Sequence, residues 1–99
     1  DLGTLQRLPK LIPDGVVREL AYTGRKLEAD EALRLGLVNR IFPDKTALLE
    51  GVTAVAQQIA EKSPLSIRGI KRNLLYARDH SVADSLDYIA NYNAATLLS

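Results

Sequence analysis

Few side chains in this sequence have the type and spacing to do chemistry. Asp1 places a carboxylate just ahead of a helical segment. There it would ordinarily cap free N–H groups and gain from the helix dipole. His80, the single histidine, lies in Arg78-Asp79-His80-Ser81 between two helical stretches. A catalytic imidazole needs an orienting partner, and none is identifiable; a turn residue near a helix C-terminus is the reading its position supports. Arg68, Lys71, Arg72 and Arg78 crowd one side of a helix. They suit either contact with phosphate groups or a solvated face opposite Ile67, Ile70 and Leu74. Gly3, Gly15, Gly24 and Gly36 are scattered and each starts or ends a helix, so they form no phosphate loop. No His/Cys/carboxylate cluster is present, so no metal site is expected.

The elements that must position these groups are helical almost throughout. A short helix is predicted over residues 4–8, with Leu5 and Leu8 on one face and Pro9 as its stop. A second starts at Asp14 as N-cap and runs to about Thr23, turning Val16, Val17, Leu20 and Ala21 inward, with Gly24 as its C-terminal cap. A third covers residues 29–35 with Ala32 and Leu33 inward and ends at Gly36. Residues 37–42 form the one extended-looking stretch, too short to build a sheet. Three longer helices follow. The first, residues 46–62, carries Leu48, Leu49, Val52, Val55, Ala56 and Ile59 on one stripe. Ser63-Pro64 opens the next, which reaches about Arg78 with Ile67, Ile70 and Leu74 inward. The last opens at Ser81, with Asp84 three residues on, a stripe of Val82, Leu86 and Ile89, and Tyr88 and Tyr92 on a neighbouring face.

The fold class expected is therefore all-α, five or six short to medium helices joined by tight turns. So many helices in 99 residues bury only a modest core. Several apolar faces should pack on something outside the chain. Apolar residues make up 46% and charged residues 25%, the balance of a soluble globular domain. A net charge of +1 gives no reason to expect nucleic acid or an acidic membrane as partner. Cysteine is absent, which excludes a disulfide framework and a thiolate metal site. No apolar run approaches the roughly 20 residues that span a bilayer. The first residues lack the basic start and apolar core of a signal peptide, and both ends read as unfinished. A fragment of a longer protein is the expectation.

Three stretches carry a resemblance to a known family. The first is Asp1-Leu2-Gly3-Thr4-Leu5-Gln6-Arg7-Leu8-Pro9. It resembles the segment that follows the second catalytic carboxylate in the crotonase (enoyl-CoA hydratase/isomerase) superfamily. The second, Tyr22-Thr23-Gly24-Arg25-Lys26-Leu27-Glu28-Ala29-Asp30-Glu31-Ala32, looks like the family's Thr-Gly … Ala-x-x-Ala signature. The third, Leu35-Gly36-Leu37-Val38-Asn39-Arg40-Ile41-Phe42-Pro43, resembles its Gly-Leu-Val block. With Lys62-Ser63-Pro64 the match covers nearly the whole chain, and the order and spacing make it strong. An aspartate at the place of Asp1, and the stretch from Asn73 to Leu86, resemble the Δ3,5-Δ2,4-dienoyl-CoA isomerase branch.

This resemblance implies the C-terminal helical part of a crotonase fold, the part that lids the acyl pocket and builds trimer contacts. The β-α spiral core, oxyanion-hole donors and partner carboxylate would lie upstream. Residues 1–43 would adjoin the catalytic core and residues 44–99 form a three-helix C-terminal region. Asp1 becomes a catalytic proton-transfer carboxylate serving the remote carbon of the acyl chain. Lys71 becomes a contact for coenzyme A phosphates. The implied reaction is isomerisation of a 3,5-dienoyl-CoA to a 2,4-dienoyl-CoA in fatty-acid β-oxidation, with the coenzyme A thioester as substrate and no other cofactor or metal. The full-length protein would be a homo-trimer or hexamer, cytoplasmic if bacterial and mitochondrial or peroxisomal if eukaryotic. Two alternatives stay open: a fragment of an enoyl-CoA hydratase, and, for the isolated chain, a non-catalytic helical oligomerisation module.

Overall fold

The computed structural model describes residues 2–98, and among them helices are the only regular secondary structure. It divides into two compact units, one up to Glu50 and one from Gly51.

The first unit begins with α1 (Thr4–Arg7), which passes into a 3₁₀ turn, Leu8–Lys10. The α-helix ends ahead of Pro9, as the sequence suggested, and Pro9 falls in the first turn of the 3₁₀ segment that follows. A proline in a first turn gives up an N–H that has no helical partner anyway. Leu11 and Ile12 N–H both return to the Leu8 carbonyl. α2 (Asp14–Thr23) follows. Its N-cap is Pro13 rather than Asp14. Asp14 stands in the first turn, where it favours the dipole and accepts from Arg18 Nε at 2.6 Å. The helix closes at Gly24, φ 67°, whose N–H reaches the Leu20 carbonyl at 2.9 Å.

α3 (Ala29–Leu35) ends in a Schellman arrangement. Gly36 N–H bonds to the Leu33 carbonyl at 3.1 Å, and Leu37 N–H to the Ala32 carbonyl at 2.9 Å. Gly36 sits at φ 81°, a left-handed conformation that glycine adopts without a Cβ penalty. The extended-looking stretch after it forms bends, not a strand. The buried centre of this unit is small: Ile12, Val17 and Ala32. Val16 and Leu20 are half-buried, while Ala21 and Leu33 are exposed.

α4 (Lys45–Ala60) starts behind Asp44, whose Oδ1 accepts from Ala47 N–H at 2.8 Å. Its apolar stripe stays open: Leu48, Leu49, Val52, Val55 and Ile59 are all exposed. α5 (Pro64–Ala77) is capped by Ser63 Oγ, and α6 (Val82–Leu98) by Ser81 Oγ, which accepts from Asp84 N–H at 3.0 Å. Both caps stand where the sequence put them.

Packing of α5 on α6 departs from the expected stripes. The faces that meet are Gly69, Asn73 and Tyr76 on α5, and Ser85, Tyr88, Ile89 and Tyr92 on α6, all buried or half-buried. Gly69 allows the approach, because a Cβ there would lie 3.2 Å from Tyr92 Cε1. Ile70 and Leu74, predicted inward, are exposed by 55% and 68%, as are Val82 and Leu86 by 77% and 61%. Ile67 is half-buried. Contact between large aromatic and small residues has displaced contact between the aliphatic stripes. Those stripes instead line shallow troughs, one of about 500 Å³ that includes Leu65, Ile70, Leu74 and Ile89.

Candidate functional site

Asp1 lies outside the described residues. Directly after it in sequence, Leu2 and Gly3 form a turn. Gly3 holds φ 95° and its carbonyl accepts from Arg7 N–H at 3.1 Å. The Arg7 guanidinium folds back over this turn, and a Cβ at residue 3 would fall 2.6 Å from Arg7 Nη1. Glycine is favoured here by the backbone angle; the exposed Arg7 side chain could swing away from a Cβ.

The cationic face predicted on α5 is present. Arg68, Lys71 and Arg72 are exposed, at the helical spacing i, i+3, i+4. α5 holds no carboxylate. Among the described residues none of the three has an ion-pair partner. Arg78 is the C-cap residue of α5 and also exposed. The positive ends of these side chains are therefore free to meet an anion.

His80 takes a structural post. Its Nδ1 stands 2.6 Å from the Tyr76 carbonyl oxygen, so this nitrogen carries the proton and donates to one of the last acceptors of α5. Its ring stacks on Tyr76 with centroids 3.7 Å apart, Tyr76 stacks on Tyr88 at 4.1 Å, and Tyr88 faces Tyr92 at 6.3 Å. This ladder joins the α5–α6 turn to the helix pair. The sequence placed Tyr88 and Tyr92 on one face of α6, but the continuation to Tyr76 and to His80, in the turn after α5, was missed. No group of three metal-ligating side chains occurs among the described residues.

A second constellation was also missed. Arg25, just past the end of α2, places Nη2 2.7 Å from Glu19 Oε2 and Nη1 2.9 Å from Glu31 Oε2. One guanidinium therefore ties α2 to α3 across the turn at residues 24–28. Hydrogen bonds donated by Arg25 to Glu31 and then to Glu19 hold Arg25 above its ordinary value, and the bond from Arg25 holds Glu31 below its own. The arrangement is a strut, with both carboxylates occupied. No described helix is long and apolar enough to cross a membrane.

Residues 1–93 match the enoyl-CoA hydratase/isomerase family. The chain is 55% identical over 98 residues to the human mitochondrial Δ(3,5)-Δ(2,4)-dienoyl-CoA isomerase, a match that covers 98% of this chain and 30% of that protein. It is 48% identical over 99 residues to the peroxisomal dienoyl-CoA isomerase of Arabidopsis thaliana, covering 100% of this chain and 36% of that protein. A carnitinyl-CoA dehydratase of Citrobacter koseri is 38% identical over 89 residues, 90% of this chain and 34% of that protein. The chain thus spans about a third of the length of the curated relatives it matches. The match over nearly every residue, on an all-helical framework with the predicted glycine caps, shows that this chain belongs to the enoyl-CoA hydratase/isomerase, or crotonase, family.

Proposed function

We propose that the chain is part of a dienoyl-CoA isomerase that converts a 3,5-dienoyl-CoA to a 2,4-dienoyl-CoA in fatty-acid β-oxidation. One observation carries the reading: similarity to dienoyl-CoA isomerases runs over 98 residues at 55% identity. The aspartate at position 1 accords with it.

The reaction moves protons. A base removes one far from the thioester carbonyl, and an acid returns one elsewhere on the dienolate. Charge that develops on the thioester oxygen needs preorganised N–H donors, which the remainder of the protein would supply. Asp1 is the carboxylate that serves the remote carbon. On α5, Lys71 with Arg68 and Arg72 meets the coenzyme A phosphates. The exposed aliphatic stripes of α4, α5 and α6 suit contacts with the catalytic core and with neighbouring subunits in a trimer or hexamer. In a eukaryote the protein would work in mitochondria or peroxisomes, where relatives are named to reside.

The test is Asp1→Asn in the full-length protein, assayed on a 3,5-dienoyl-CoA and on a 2-enoyl-CoA. A fall in isomerisation of several orders of magnitude with the fold intact supports the reading. Unchanged isomerisation reduces Asp1 to a helix cap. A wild-type protein that only hydrates the 2-enoyl ester is a hydratase.

A further inference from the structure

We infer that Lys71 is a site of self-acylation by coenzyme A thioesters, captured on the cationic face of α5. The inference rests on the reading of that face as a contact for coenzyme A phosphates. The sequence of α5 places three cations within five residues and no carboxylate on the helix. Its neighbour α6 has Asp84 and Asp87, yet among the described residues no ion pair links the two helices. The charge on α5 is thus uncompensated by its neighbour.

A coenzyme A ester carries several phosphate charges on a flexible arm that ends in a reactive thioester. Arg68 and Arg72 offer forked donors that suit phosphate oxygens. Lys71 lies between them in sequence, one residue before Arg72 and three after Arg68. Its amine is the nucleophile of the set, since guanidinium groups stay protonated. Once the phosphates are held, the thioester meets this amine at a raised effective concentration. The neutral amine attacks the thioester carbonyl carbon, the C–S bond breaks, and coenzyme A leaves as a thiolate. The proton shed by the amine nitrogen converts that thiolate to the free thiol, and an amide remains on Nζ. That amide removes one of three cations, so acylation weakens further capture on the same face.

Site-resolved mass spectrometry of the full-length protein tests this. The probes are acetyl-CoA and S-acetyl-N-acetylcysteamine, which carries the same thioester without phosphates. Lys45, exposed and beside Asp44, is the internal reference. Acetyl-CoA should acylate Lys71 roughly ten-fold faster than Lys45, and the paired change Arg68→Gln/Arg72→Gln should remove about that factor. The phosphate-free probe should show neither the preference nor its loss. An equal Lys71-to-Lys45 ratio with both probes overturns the proposal, as does a ratio unmoved by the arginine changes. Turnover of a 3,5-dienoyl-CoA by the same preparation is read separately. Its absence would sink the isomerase reading, and the acylation ratio would still decide this one.

Discussion

Gly69 offers the sharpest test of how α5 and α6 are held together. An alanine Cβ there would lie 3.2 Å from Tyr92 Cε1 and 3.6 Å from its hydroxyl oxygen. Carbon atoms prefer roughly 3.5–4.0 Å, so the ring must retreat by a few tenths of an ångström. Tyr92 also faces Tyr88, the next rung of the ladder, so moving it disturbs that packing. Against this, glycine to alanine inside a helix gains about 0.8–1 kcal/mol. Overpacking a fitted contact costs about 1–3 kcal/mol. Gly69→Ala should therefore end near neutral or up to about 2 kcal/mol unfavourable. Gly69→Val, which loses the propensity gain and adds two methyl groups at the crossing, should cost about 2–4 kcal/mol. In a Tyr92→Ala background the crowding is gone, and Gly69→Ala should stabilise by nearly its full propensity gain. The assay is thermal unfolding of the full-length protein as wild type, Gly69→Ala, Tyr92→Ala and the double variant, the four members of the alanine cycle. A change of 1 kcal/mol moves Tm by about 4–8 °C in a domain of 60–100 residues and by about 2–4 °C in one of 150–250. Additive effects, with coupling below about 0.5 kcal/mol, would refute close packing of Tyr92 over Gly69.

The remaining predictions concern caps and charge. Ser81→Ala removes the acceptor for Asp84 N–H and should lower stability by about 1 kcal/mol, with Asp44→Ala similar at α4; hydrogen exchange at the first turn of each helix reads the loss locally. Gly36→Ala forces a Cβ into φ 81° and should cost about 1–2 kcal/mol, visible as a lower Tm; an unchanged Tm would contradict the left-handed cap. Arg25→Gln frees Glu19 and Glu31 and should loosen α2 from α3. Glu31 lies below its ordinary value in the folded state, so its stabilising effect is full above the unfolded carboxylate range near 4.3 and fades as pH falls through the folded value. Acid unfolding curves should then show a shallower stability loss below about pH 4.5 for Arg25→Gln than for wild type. High salt should narrow the difference, because the strut is substantially exposed to water.

What the sequence made legible was local. Ser63, Ser81, Gly24 and Gly36 each act through one or two hydrogen bonds to residues within five positions, and residue type alone announces them. The cationic face was equally readable, since helical spacing fixes which side chains share a side. Asp14 marks the limit even of local reading. Asp and Pro compete for the start of a helix, and here Pro13 took the cap while Asp14 found Arg18 one turn on.

Tertiary choices were less legible, and α5 shows why. Its sequence offers two stripes: Ile67, Ile70 and Leu74 by hydrophobicity, and Gly69, Asn73 and Tyr76 by shape. Hydrophobic periodicity selects the first, because it ranks side chains by transfer energy and is blind to how closely two axes approach. A glycine at the crossing brings the backbones together, and aromatic rings then fill the space with large contact area. Asn73 remains compatible with that face because its Nδ2 donates to the Gly69 carbonyl at 2.7 Å, which leaves no bare polar group at the contact. The aliphatic stripe is thereby left for another surface, and the trough along Ile70, Leu74 and Ile89 remains open. Two faces on one helix are what a segment needs when it must pack within its own unit and also present apolar surface outward. Hydrophobic patterning detects the outward face here, while shape complementarity assigns the inward one.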